Sequence, residues 1–377
     1  MKCTLTNESE LERESRVRAR RAPTAFLAAL MLTLLCFGSA SVARAEAPQC
    51  FGPDSGITTK EVSYVPPTNT YAGDPRSNNG VVHLMGWLYY KIKRDAHTLA
   101  DAPVVIFNHG HEQERKQPCE IARYFVNQGF VVFAPLRRGH YGDGIASTGV
   151  YIDDYVGDCL RTYQCRPCEL LDPATCTENA YQVDYLRQQY VDVIDQVYYI
   201  RNHPSVGRSR TGKLADPTRI AILGHSFGGA LMVFANARSG LHNVAIDVSG
   251  AELSWGDAEP YWESELKAAI GDARRPIYFL QPKNGKSLAP TKVLFGESIN
   301  RENRAQGSIF PPATWDSVCF PHNANCWDAE KGEIKPESKQ AHSSFIGNRD
   351  QVELWGPSVI EFINRYPLSS QQQQDRE

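Results

Sequence analysis

Residues 219–229 read Arg219-Ile220-Ala221-Ile222-Leu223-Gly224-His225-Ser226-Phe227-Gly228-Gly229. Ile220 to Leu223 form an unbroken apolar run, the pattern of a strand buried on both faces of a parallel sheet. Gly224, Ser226 and Gly228 then match G-x-S-x-G, in which a serine sits on a sharp strand-to-helix turn. The glycines have a steric purpose, because a Cβ two residues before or after such a serine would meet the neighbouring strand or helix. The run Ala230-Leu231-Met232-Val233-Phe234-Ala235-Asn236 supplies the helix that the turn should open. The competing reading, an ordinary glycine-rich turn, does not call for an apolar strand on one side and a helix on the other.

Outward from this stretch, the chain repeats the rhythm of a parallel sheet. Val81–Ile92 and Val104–Phe107 read as strands. Cys119–Gln128 reads as a short amphipathic helix closed by Gly129, and Phe130–Ala134 as the next strand. Strand, helix, strand at this spacing is a right-handed crossover. A long helix is predicted over Tyr181–Arg201, with Val183, Leu186, Tyr190, Val193 or Ile194, Val197 and Ile200 on one face. After the serine, strands are expected at Asn243–Val248, Pro276–Gln281 and Ser308–Phe310. Helices are expected at Tyr261–Ile270, Ala289–Arg304 and Val359–Asn364.

With 377 residues, 42% hydrophobic and 22% charged, the composition is that of an ordinary globular protein. A net charge of −3, with no basic cluster in the body of the chain, argues against nucleic acid as a partner. Arg16, Arg18, Arg20 and Arg21 precede an apolar run from Ala25 to Phe37 and an A-x-A site at Ala43-Arg44-Ala45. That is the pattern of a signal peptide. The run is short for a membrane span, so export to the periplasm or exterior, with no stable membrane anchor, is favoured over a retained anchor. The expected organisation is a signal peptide at 1–45, an irregular mature N-terminus at 46–80, an α/β domain at 81–368 and a disordered tail at 369–377. Within the domain, 145–179 reads as a Cys-rich insertion and 311–341 as a loop closed by Cys319 and Cys326. Without Cys3 and Cys36, eight cysteines remain, and an even number in an exported chain favours disulfides. For Cys159, Cys165, Cys168 and Cys176, disulfides fit this setting better than a zinc tetrathiolate.

A serine hydroxyl needs a base, a group that orients the base, and donors for the oxyanion. In an elbow enzyme the order is serine, acid, histidine. Of the histidines after Ser226, His242 comes directly after the elbow helix and His322 lies within the Cys319–Cys326 loop. His342, read as a loop residue before the last helix, is the candidate base. The backbone amides of Phe227 and of His111, after the strand end Asn108-His109-Gly110, are the candidate oxyanion hole. The side chains of His109 and His111 are expected to shape that loop.

These pieces together resemble an α/β-hydrolase, closest to the dienelactone hydrolase-like branch. The resemblance is carried by Asn108-His109-Gly110, Arg137-Arg138-Gly139-His140, Asp216 with Arg219-Ile220, the Gly224–Gly229 elbow, Ser254-Trp255, and His342 with Phe345 and Trp355. It covers roughly residues 80–365 and implies a mostly parallel central sheet flanked by helices. It also implies hydrolysis of a small-molecule ester or lactone without a cofactor or metal. A serine peptidase of the prolyl-oligopeptidase type shares the same catalytic fold. One feature departs from the family. Such relatives carry the triad aspartate after the strand at Ile277–Leu280, where this chain reads Gln281-Pro282-Lys283-Asn284-Gly285-Lys286. Glycine stands in the acid's place. Three alternatives follow: Glu252 after the preceding strand is the acid, Asn284 orients the imidazole, or the fold is catalytically weakened and serves as a binding protein.

Overall fold

The apolar run at 220–223 is the middle of a long strand at the centre of the sheet. In the computed structural model the described residues are 50–66, 83–91, 102–111, 116–142, 145–147, 178–202, 215–250, 260–282, 288–304, 313–318, 327–328, 333–334 and 339–366. The strands are β1 (Ile57–Tyr64), β2 (Leu84–Lys91), β3 (Ala102–Asn108), β4 (Val131–Leu136), β5 (Tyr141–Gly142), β6 (Ile145–Ala146), β7 (Ala215–His225), β8 (Val244–Val248), β9 (Ile277–Pro282), β10 (Ala313–Val318), β11 (Trp327–Asp328) and β12 (Glu333–Ile334). The helices are α1 (Cys119–Asn127), α2 (Glu178–Asn202), α3 (Phe227–Arg238), α4 (Pro260–Gly271), α5 (Leu288–Arg304), α6 (Lys339–Gly347) and α7 (Arg349–Arg365).

Eight strands form one sheet in the order β1-β2-β4-β3-β7-β8-β9-β10. β2 runs antiparallel to β1 and β4, and every pairing from β4 to β10 is parallel. Alternation along the central strands divides the core in two. Val104, Ile106, Ile220 and Ile222 face the side covered by α2, α3, α4 and α5. Val105, Phe107, Ala221 and Leu223 face α1, α6 and α7. This two-sided burial is why the strands read as continuous apolar runs. From β3 the chain moves one way to β4, then returns past β3 to β7. The crevice beyond the carboxyl ends of β3 and β7 is therefore a topological switch point, where open α/β sheets bind ligands.

Two further contacts fix the frame of the site. Trp355 is fully buried and donates Nε1–H to the Phe345 carbonyl at 2.9 Å, tying α6 to α7. Burial of such a side chain contributes roughly 1.5–3 kcal/mol or more, provided its N–H is satisfied as it is here. A Cys50–Cys119 disulfide joins segments 69 residues apart and pins the start of the described chain to the first turn of α1.

Several expectations are corrected. Residues 57–64, expected to be irregular, form β1. Its pattern is mixed because it is an edge strand, with buried positions only at Ile57, Val62 and Tyr64. The last strand of the sheet among the described residues is Ala313–Val318, and the strand expected at 308–310 lies outside them. The stretch 311–341 is accordingly not one loop, for it also holds β11, β12 and the start of α6. His342 lies in the first turn of α6, not in a loop. The sequence Lys339-Gln340-Ala341-His342-Ser343-Ser344 looks loop-like because serine competes with helical hydrogen bonding. The insertion read at 145–179 contributes β6 at one end and the start of α2 at the other. The cysteines at 159, 165, 168, 176, 319 and 326, and the segments 1–45 and 369–377, lie outside the described residues.

Candidate active site

Ser226 stands between β7 and α3 with φ 56° and ψ −126°, a left-handed backbone that non-glycine residues seldom adopt. Its N–H donates to the Val248 carbonyl at 2.9 Å, and its own carbonyl accepts from Gly229 N–H at 2.7 Å. The turn works only because its neighbours lack side chains. A Cβ on Gly224 would run into the Gly228 carbonyl, and one on Gly228 would run into the carbonyls of Asn108 and His109. A Cβ on Gly110 would lie 3.3 Å from Ser226 Cβ and 3.6 Å from its Oγ. The strand-end loop after β3 thus passes within van der Waals contact of the serine. Phe227 opens α3, whose amino end carries the positive pole of the helix dipole. Its ring meets His111 edge-on at 5.4 Å. The two residues named for the oxyanion hole are therefore neighbours beside Ser226.

The loop is held from behind by side chains that sequence reasoning did not assign. Arg137 is fully buried. Its guanidinium donates to the His109 carbonyl at 2.7 Å, the Gly110 carbonyl at 2.8 Å and Gln189 Oε1 at 2.8 Å, with Phe227 lying 5.6 Å from Cζ. These bonds fix the peptide planes on either side of Gly110. His109 closes the same network, with Nδ1 3.0 Å from the Gly110 carbonyl and Nε2 accepting from the Arg137 amide at 3.3 Å. Its ring thus bonds both to the loop and to the Arg137 backbone. Arg138 is matched by Asp192 on α2, whose carboxylate takes Nε–H at 2.8 Å and the Arg138 amide at 2.7 Å. Gln189 and Asp192 lie three residues apart on α2, one helical turn, and so present both acceptors to the same Arg-Arg turn.

His342 approaches from α6. His225 Nε2 lies 3.1 Å from the His342 carbonyl and the two rings are 4.5 Å apart. His342 Nδ1 lies 3.3 Å from Ser249 Oγ. Ser249 follows directly on β8, is fully buried and, like Ser226, has a left-handed backbone, with φ 53°. Glu252 and Asn284, the two candidate orienting groups, lie outside the described residues, as does Gly285. A carboxylate that the sequence reading passed over, Asp247, is turned beneath the first turn of α3. Its Oδ1 accepts from Gly250 N–H at 2.8 Å and fills the space left by Gly229 and Gly250. Burial raises its pKa from 3.8 to about 7, and the Gly250 amide opposes this shift. The signal was there to read: a lone aspartate in the strand Val244-Ala245-Ile246-Asp247-Val248 must be buried. Among the described residues no group of three or more His, Cys, Asp or Glu side chains is disposed to hold a metal ion.

A mostly parallel sheet with helices on both faces and a serine on a strained strand-to-helix turn at its switch point defines the α/β-hydrolase class. The sequence matches the alpha/beta hydrolase family over residues 105–329, more than half of the chain, and the protein belongs to that family. Among curated proteins no sequence matches significantly. Similar solved structures include acylaminoacyl peptidase from Pyrococcus horikoshii, 12% identical with a TM-score of 0.49, the match covering 83% of this chain and 42% of the peptidase. Acetyl xylan esterase from Paenibacillus sp. R4 is 16% identical with a TM-score of 0.47, over 84% of this chain and 86% of the esterase. A Klebsiella pneumoniae protein assigned as a dienelactone hydrolase is 10% identical with a TM-score of 0.42, over 79% of this chain and 99% of that protein.

Proposed function

We propose that the protein is an exported serine hydrolase that cleaves a carboxylic ester or lactone through an acyl-enzyme on Ser226. The observation that carries this reading is the serine at φ 56° with the Gly110 loop in contact behind it. Strain of this kind persists where the surrounding fold over-determines it, and it clusters at functional sites. In the proposed reaction Ser226 Oγ attacks the carbonyl carbon as His342 Nε2 takes its proton. The Phe227 and His111 amides hold the resulting oxyanion. Collapse breaks the bond to the leaving oxygen, which receives the proton from His342. Water, deprotonated by the same imidazole, then releases the acid. The proposal uses no cofactor. For the acid it retains Glu252, with Asn284 as an uncharged alternative. Export is supported by the signal-like segment ending at Ala45 and by the Cys50–Cys119 disulfide, since disulfides persist in oxidising compartments.

Gly285 in the usual acid position favours a second reading, a weakened hydrolase fold that binds a ligand or partner. A fluorophosphonate probe separates the two. Labelling of the wild type that disappears in Ser226→Ala is the expected result. No labelling, or equal labelling of both proteins, overturns the hydrolase reading. Turnover of short peptides rather than esters would point to the peptidase alternative.

A further inference from the structure

We infer that Ser249 is a positioning residue for the proposed base. Its hydroxyl accepts the Nδ1 proton of His342 and so holds the imidazole in the tautomer whose Nε2 can take a proton from Ser226. The inference rests on the roles proposed above for Ser226 and His342.

Three observations carry it. First, the hydroxyl is within bonding reach of the ring, with Oγ to Nδ1 at 3.3 Å, and neither residue is a sequence neighbour of the other. Such bonds are often long in a free enzyme and tighten once substrate is bound. Second, Ser249 is rigidly placed. Its N–H donates to the Leu280 carbonyl at 2.9 Å, and the preceding carbonyl, Val248, receives the Ser226 N–H at 2.9 Å. The backbones of nucleophile and orienter are thus linked across the ends of β7 and β8. His225 holds the His342 carbonyl from the other side, so the histidine is gripped at its backbone and at its ring. Third, φ at Ser249 is 53°, a conformation that glycine adopts without steric cost. The chain has a glycine in the next position, yet carries a serine in the strained one, and the hydroxyl is what distinguishes the two.

A hydroxyl fixes a tautomer but brings no charge to stabilise imidazolium. The charge that stabilises imidazolium is left to the acid, for which Glu252 is retained above.

The test uses the full protein and two variants, Ser249→Ala and Ser249→Gly. The second relaxes the strained backbone while removing the hydroxyl, so it carries the test if the alanine variant does not fold. With p-nitrophenyl acetate, kcat should fall about tenfold at unchanged KM. Fluorophosphonate should still label Ser226, more slowly. The ¹⁵N shifts of His342 should move from an Nδ1–H to an Nε2–H imidazole. An unchanged kcat or an unchanged tautomer overturns the role of Ser249 and leaves the hydrolase reading intact. Failure of the wild type to label overturns the hydrolase reading, and the ¹⁵N tautomer then decides the Ser249–His342 bond alone.

Discussion

The two halves of the candidate site are built differently. The half around the proposed nucleophile, Ser226 with the Gly110 loop, is made of backbone: Gly224 and Gly228, which admit no side chain, and peptide planes locked by Arg137. The half around the proposed base is made of side chains meeting over long sequence distances, Ser249 to His342 across 93 residues and His225 to the His342 carbonyl across 117. Backbone geometry is dictated by short-range sterics and tolerates almost no change. A side-chain tether is a matter of one hydrogen bond at a time. The first half should therefore fail by unfolding and the second by losing rate, and the following variants test that division.

The largest effect is expected behind the nucleophile half. Asp192→Ala leaves Arg138 buried without the carboxylate that takes its Nε and amide protons. Breaking one partner of a buried ion pair costs about 3–5 kcal/mol. Chemical denaturation should show a loss of that order, with the loop at His109–His111 disordered in the same step. A loss below about 1 kcal/mol would mean that water reaches Arg138 and that the Arg-Arg turn is not the rigid backing described.

An effect of comparable size and opposite sign belongs to Asp247. Its pKa is raised by burial from 3.8 to about 7, so between those values the folded protein binds more protons than the unfolded chain. Stability then falls as pH rises through this window and is flat above it. The full shift corresponds to roughly 4 kcal/mol at most. Asp247→Asn keeps an acceptor for Gly250 N–H and removes the titration. It should be more stable than the wild type at pH 8 and nearly equal to it at pH 4. A wild-type stability that rises between pH 4 and pH 7 for this group would contradict the placement of Asp247 beneath α3.

Gly228→Ala comes next. Its methyl group meets the carbonyls of Asn108 and His109, neither of which can rotate away. Overpacking of this kind costs about 1–3 kcal/mol. The displaced loop should also lower kcat by about a hundredfold or more, the loss seen when an oxyanion donor is removed. Gly110→Ala, with 3.3 Å available to Ser226 Cβ, should be milder in stability than Gly228→Ala. Reversal of that order, read from melting curves, would break the claim that sterics against backbone govern this half.

The same division explains what could be read from the sequence. The elbow glycines, the buried strands and the strand-end His-Gly are local patterns whose causes lie within a few residues. His342 could be reached because few histidines follow Ser226, although its helix was hidden by the serines around it. Ser249 could not be reached, since Ser249-Gly250 after a buried strand reads as an ordinary turn and its partner lies 93 residues further along the chain. Gln189 and Asp192 were overlooked for a related reason. The apolar face of α2 was legible as period 3.6, but polar residues on that helix read as solvent-facing. The warning was in Arg137-Arg138 after a buried strand. Two arginines at the end of an all-buried β4 need acceptors, and a helix rich in Gln and Asp nearby is where acceptors would come from. The edge strands β1 and β10 escaped because one-sided pairing relaxes the demand for an apolar run.

The smallest effect is expected at His225. The substitution His225→Phe keeps an aromatic ring against His342, at 4.5 Å between centroids, and removes the Nε2 donor to the His342 carbonyl. A single hydrogen bond of this type contributes about 1 kcal/mol net. If the bond mainly holds α6 against the elbow, kcat should drop by up to about tenfold with KM unchanged, while the melting temperature moves by only a few degrees. Combined with Ser249→Gly, the loss in kcat should be less than the product of the two single losses. Both bonds hold the same residue, and neighbouring groups that share a partner are not additive. Full additivity in that double-mutant cycle would mean that His225 and Ser249 act independently, and that His342 is not held at both ends.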